Sequence, residues 1–191
     1  DGRFVCSPWR KPDKALLIIR YGGFGDMIWL SSALPHLKRA GWHITVNTSG
    51  VNLEVLEHNP AIDDFWLQDR DQVPNDGNLE DYWKRLSERY DRVINLSESV
   101  EGALVTLAGR PDDAWPDDMR REALNVNYLE QTHRICDVPS GPGDFEGARF
   151  IATEDEIEWA AKAAVGNAGP TVMWCLSGSS YHKVWPYIAH P

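Results

Sequence analysis

Cysteine is scarce in this chain. There are three, Cys6, Cys136 and Cys175, widely spaced and without a C-x-x-C pair. That pattern argues against a disulfide framework or a structural zinc site and fits a reducing compartment. Long apolar runs are missing too. The longest near the start, Ala15 to Ile19, is far too short to span a bilayer, and no signal-peptide pattern precedes it. Positive charge is in deficit: 19 Lys and Arg against 29 Asp and Glu give a net charge of −10. Such a chain repels phosphate backbones and anionic lipid heads at long range, so no nucleic-acid partner is expected. The histidines show no H-E-x-x-H or other metal-ligand spacing. No internal repeat or low-complexity segment appears.

What remains is an ordinary apolar fraction, 42% of 191 residues, enough for one complete domain and a remnant. Ala15-Leu-Leu-Ile-Ile-Arg20 is a continuous apolar run with β-branched members, the mark of a strand buried on both faces. Further strands are expected at 43–48, 64–67, 92–96, 149–151 and 171–176. Helices are expected from Asp26 to Gly41 and over 51–58, 79–90, 101–108, 124–136 and 153–165. In the first of these, Ile28, Leu30, Leu34 and Leu37 form the apolar stripe. In the last, Thr153 and Glu156 form a capping box. Residues 109–121, with two prolines and four aspartates, read as an exposed loop. Alternating strands and helices predict an α/β fold with a doubly wound parallel sheet.

In such sheets ligands sit beyond the carboxyl ends of the strands. Two loops there are rich in small residues. The first holds Gly22, Gly23, Gly25 and Asp26 between a buried strand and a helix. The glycines let a backbone or ligand come close. Asp26 either caps the helix or acts as a general base in a ligand-facing loop. A dinucleotide fingerprint fails twice: Ile28 stands where the third glycine belongs, and the second strand ends Val46-Asn-Thr48 with no acid for a ribose. The second loop, Ser177 to Pro186, offers Ser177, Ser179, Ser180 and Lys183 after a strand. It reads either as a plain serine loop or as a phosphate site.

Together the segments resemble glycosyltransferase family 9, the ADP-heptose:lipopolysaccharide heptosyltransferase family. Leu16 to Lys38 is similar to that family's strand, glycine loop, Gly-Asp and helix, including Ala-Leu-Pro in the helix. Asn59-Pro-Ala-Ile-Asp63 resembles its Asn-Pro-x-Ile-Asp. Ser177-Gly-Ser-Ser180 with Lys183-Val-Trp-Pro186 resembles its Gly-Ala-Ser and Lys-x-Trp-Pro element, although the glycine has moved by one position. Residues 70–168 resemble the family mainly in layout.

The resemblance implies a GT-B fold of two Rossmann-like domains. Residues 1–14 would be a lead-in, 15–168 the acceptor-side domain, and 169–191 the start of a truncated nucleotide-sugar-binding domain. It implies an inverting, metal-independent transfer of a heptose-like sugar from a nucleotide-sugar, ADP-linked in this family, to a glycan or glycolipid hydroxyl. Asp26 matches the family's proposed base, with Gly22, Gly23 and Gly25 beside the substrate. Ser179 and Lys183 match donor-phosphate positions, and Ser177 and Ser180 flank them. No cofactor is implied. A cytoplasmic protein, peripheral at the inner membrane face, is expected. Both ends of the chain read as cut, so weak donor binding and little turnover are expected of it alone. The rival readings are a non-catalytic nucleotide- or carbohydrate-binding module and an NAD-type oxidoreductase. Asp69-Arg-Asp71, a metal-holding pattern in other glycosyltransferases, reads here as a solvated turn, and Trp115 as a stacking platform for a sugar or an exposed loop residue.

Overall fold

The computed structural model of the chain describes residues 11–68, 78–96, 116–141, 143–145, 148–164 and 169. The strands are β1 (Ala15–Ile19), β2 (His43–Thr48), β3 (Asp64–Leu67) and β4 (Arg92–Asn95). The helices are α1 (Phe24–Arg39), α2 (Gly50–Leu56), α3 (Leu79–Ser87), α4 (Asp117–Leu124), α5 (Tyr128–Cys136) and α6 (Glu154–Ala163). Two compact units result, Asp1–Ile151 and Ala152–Pro191, with α6 in the second. No described helix is long and apolar enough to cross a membrane.

β1 is apolar and fully buried at every position. Such a strand needs cover on both faces, which places it inside a sheet. It pairs in parallel with β2 on one side and β4 on the other, and β3 extends the sheet beyond β2. The order is β3-β2-β1-β4. Ile19 lies opposite both Asn47 and Asn95, so β1 and β4 end together and β2 runs one residue further.

The side-chain period of two divides β1 between two cores. Leu16 and Ile18 join Ile44, Val46 and Ile94 against α1, with Leu56 of α2 and Cys136 of α5. Ala15, Leu17 and Ile19 pack on the other face with Leu86 of α3 and Tyr90. Helix α1 turns Met27, Leu30, Leu34 and Leu37 inward at steps of three and four. Each such residue contributes about 1.5–3 kcal/mol on burial. Met27 fills the place expected of Ile28, which is only half-buried. Gly41, at φ +84°, ends the helix as expected. A buried polar pin joins α1 to α5: His133 meets Ser32 Oγ at 2.9 Å and the Pro139 carbonyl at 2.6 Å. The carbonyl only accepts, so Nδ1 carries a proton there.

The Asn59–Asp63 segment serves the fold: its polar groups tie β2 to α1. Asn59 Oδ1 accepts the Ala61 amide at 3.0 Å, fixing the turn. Asp63 takes the Ile44 amide of β2 at 2.7 Å with one oxygen and Lys38 of α1 at 2.5 Å with the other.

Three expectations are corrected. Residues 117–121 are not loop but the start of α4; Pro116 precedes it, and Asp117 and Asp118 favour the positive end of the helix dipole. The helix expected over 124–136 is broken, because Asn127 caps a new helix by accepting the Leu129 amide at 2.9 Å. Arg149–Ile151 forms no strand; the Arg149 amide goes instead to Ser31 Oγ at 2.8 Å. The Thr153 and Glu156 capping box is present. The helix expected over 101–108 and the strand over 171–176 lie outside the described residues.

Burial pushes the Asp63 carboxyl up, but bonds from Lys38 and Ile44 and the charges of Lys38 and His43 outweigh it and hold it below its ordinary value. A lowered native pKa gives stability that is complete above the ordinary value and lost as pH falls through the lowered one. Asp63→Asn should therefore be less stable than wild type in urea at about pH 6, with the gap narrowing towards about pH 2.5. A gap that widens on acidification contradicts the assigned pairing.

Candidate active site

In an open parallel sheet the ligand crevice lies beyond the strand ends where the order reverses. Here the chain steps outward from β1 through β2 to β3, then returns to β4 on the other side of β1. By that rule the ligand-facing edge lies past Ile19 and Asn95.

Arg20 is the first residue after β1. Its amide continues the sheet by donating to the Asn47 carbonyl at 3.0 Å. Its side chain is only 4% exposed. Nη1 donates to the Leu96 carbonyl, just past β4, at 2.8 Å. Nη2 donates to Asp26 Oδ1 in a close ion pair. The other oxygen, Oδ2, accepts the Gly23 amide at 2.7 Å. Asp26 thus stands beyond the carboxyl end of β1, tied through Arg20 to both strand ends.

Asp26 does not open α1, as the sequence suggests. The helix begins at Phe24 with Gly23 before it, because the Gly23 carbonyl already accepts the Asp26 amide at 3.0 Å. Asp26 is the third helical residue and reaches back to the Gly23 N–H, the acidic half of a capping box. The capping role is therefore real. The carboxylate nevertheless keeps 15% side-chain exposure. Of roughly four lone-pair directions, two are taken.

The glycines differ in what they do. Gly22 has φ +137°, and a Cβ built there would lie 2.2 Å from Asp26 Oδ2. The absent side chain is what leaves room for the carboxylate. Gly25 faces open space, with nothing within 4 Å of a Cβ. Phe24, between Gly23 and Gly25, is 51% exposed.

The end of β2 is closed to a ribose. Asn47 is buried; its Oδ1 accepts Tyr21 OH at 2.6 Å and its Nδ2 donates to the Trp66 carbonyl at 3.0 Å. Thr48 is buried too, its hydroxyl against Met27 Sδ and the Asn52 amide. At the end of β4, Asn95 Oδ1 is buried without a hydrogen-bond partner among the described residues. Cys136 is a buried thiol pushed up to about 12 by desolvation, not a nucleophile.

The structure brings Gly22, Gly23, Gly25 and Asp26 together. Ser177, Ser179, Ser180 and Lys183 lie outside the described residues, as do Asp69, Asp71 and Trp115. Arg20 was not singled out by the sequence pattern, where it closes an apolar run. Its signal was there: a charge directly after a doubly buried strand must find a partner.

No family model matches the chain, and no curated protein matches it by sequence. Among solved structures it is similar to a glycosyl transferase family 9 protein from Veillonella parvula DSM 2008. That match has a TM-score of 0.57 and 16% identity over 91% of this chain and 56% of that one. It also aligns with the E. coli ADP-heptose lps heptosyltransferase II, at a TM-score of 0.47 and 19% identity over 79% of this chain and 50% of that one. The chain spans about half the length of these structures. The first likeness shows the fold: a parallel α/β sheet flanked by helices, as in GT-B glycosyltransferases.

The two glycines make a paired prediction. Gly22→Ala should destabilise by about 1–3 kcal/mol, since backbone and carboxylate must both shift. Gly25→Ala should stay within about 0.5 kcal/mol of wild type. Urea unfolding of both variants checks this, and equal effects contradict the geometry.

Proposed function

We propose that the protein serves an inverting glycosyl transfer, moving a heptose-like sugar from a nucleoside-diphosphate donor to a glycan hydroxyl with Asp26 as general base. The observation that carries this reading is the Asp26 carboxylate, part-exposed in the first turn of α1 just after the glycine loop and beyond the carboxyl end of β1. The fold shared with a family 9 glycosyl transferase supports it.

In the step itself, the acceptor hydroxyl gives its proton to Asp26 while its oxygen bonds to the anomeric carbon. The bond from that carbon to the diphosphate breaks on the opposite face. Its electron pair leaves with the nucleoside diphosphate, and the anomeric configuration inverts. A positioned base of this kind contributes about 10²–10⁴-fold. Ser179, Ser180 and Lys183, with Ser177 beside them, would meet the charge that builds on the departing diphosphate. The scheme uses no metal. An ADP-linked donor and a glycolipid acceptor, met at the cytoplasmic face of the inner membrane, complete it.

One observation favours a second reading. Both Asp26 oxygens already have partners, as they would in a non-catalytic nucleotide- or carbohydrate-binding module of the same fold. The two readings separate on one variant. Asp26→Asn in the native protein should lower transfer by about 100-fold or more while circular dichroism shows it folded. The readout is nucleoside-diphosphate release from ADP-, UDP- and GDP-sugars in the presence of glycan acceptors. Near-normal transfer by a folded variant selects the structural role.

A further inference from the structure

The geometry points to Arg20 as the positioning residue for the base, a strut that fixes the Asp26 carboxylate against the end of β4. This inference rests on the transferase reading above. Arg20 touches neither donor nor acceptor in this scheme and acts only through Asp26.

Four observations place it. The guanidinium is buried, with 4% side-chain exposure, so it does not swing through solvent between partners. It is held at its base by the sheet, through the Arg20 amide and the Asn47 carbonyl. It is held at its tip by the Leu96 carbonyl at 2.8 Å, on the segment that continues β4 beside β1. Its remaining arm holds Asp26 Oδ1. A planar guanidinium has donors in a fixed fork, so locking one arm on Leu96 aims the other. Gly23 then holds Oδ2 at 2.7 Å, and the carboxylate has its plane fixed by two donors on different segments.

A general base works only within hydrogen-bond reach of the proton that it takes, and a misplacement of about 1 Å costs about 10²-fold. Helix capping alone would hold Asp26 by one oxygen. The second hold comes from a residue whose own position reports the spacing of β1 and β4. Lysine at position 20 keeps the charge but lacks the fork, so it can serve Asp26 or Leu96 well and not both.

The test compares Arg20→Lys and Arg20→Met with the unsubstituted native protein, in steady-state transfer from whichever of the ADP-, UDP- or GDP-sugars it turns over. Arg20→Met should lower kcat about 100-fold, and Arg20→Lys about tenfold, with the donor KM within about twofold. The partial recovery by lysine keeps the test informative if the methionine variant does not fold. In an Asp26→Asn background, Arg20→Lys should change the residual rate by less than about twofold, because the group that it positions is gone. An unchanged kcat in Arg20→Lys, or a full further loss in the Asp26→Asn background, overturns the positioning role while leaving the transferase reading intact. Undiminished transfer by Asp26→Asn, or no transfer by the unsubstituted protein, overturns the reading on which it rests.

Discussion

β1 has no face turned to water, and the site follows from that constraint. Its five apolar side chains have no exposure, so the sheet must be covered on both sides up to Ile19. The next residue is Arg20, and the same cover keeps its guanidinium from bulk water. A buried cation without a counter-charge is strongly destabilising. The chain supplies that counter-charge six residues on, by turning the glycine loop back so that Asp26 meets Nη2. Gly22 sets the limit on that return, because a side chain there would occupy the place of the carboxylate. Core packing and site geometry are thus consequences of one buried strand.

Much of this was legible in the sequence, and for a physical reason. β1, β2 and β3 fall where expected because continuous or alternating apolar residues are bounded by glycine, proline or charge. The α/β alternation carried the parallel sheet with it. Where the reading failed, a local signal pointed both ways. Aspartates at 117 and 118 look like a solvated loop but also suit the first turn of a helix. Asn127 sits inside an apolar periodicity and yet caps a new helix. Arg149 has a strand-like neighbourhood but gives its amide to Ser31, a residue 118 positions away. The role of Arg20 was hidden in the same way, since one of its partners, Leu96, is 76 residues distant.

The strand order is also that of dinucleotide-binding domains, but the glycine loop lacks their third glycine, with Ile28 in its place. A dinucleotide site needs an acid at the end of the second strand to hold ribose hydroxyls. Here Asn47 and Thr48 end β2, both buried and both already bonded within the protein. The acid has moved instead to the third residue of α1, in the place where a pyrophosphate would otherwise approach the helix. The carboxylate takes up the Gly23 amide that a phosphate would otherwise use at this helix end.

Capping and proton acceptance draw on the same carboxylate oxygens, and the geometry at Asp26 leaves room for both. Each Asp26 oxygen has one donor, Arg20 on Oδ1 and the Gly23 amide on Oδ2. Each therefore keeps a lone-pair direction. A base that must accept a proton in one orientation gains from being held, because freezing its rotamer beforehand spares that entropy in the transition state. A carboxylate free to rotate would satisfy neither the helix nor an acceptor hydroxyl. The two hydrogen bonds that cap the helix and pair the buried arginine are compatible with the base proposed for Asp26.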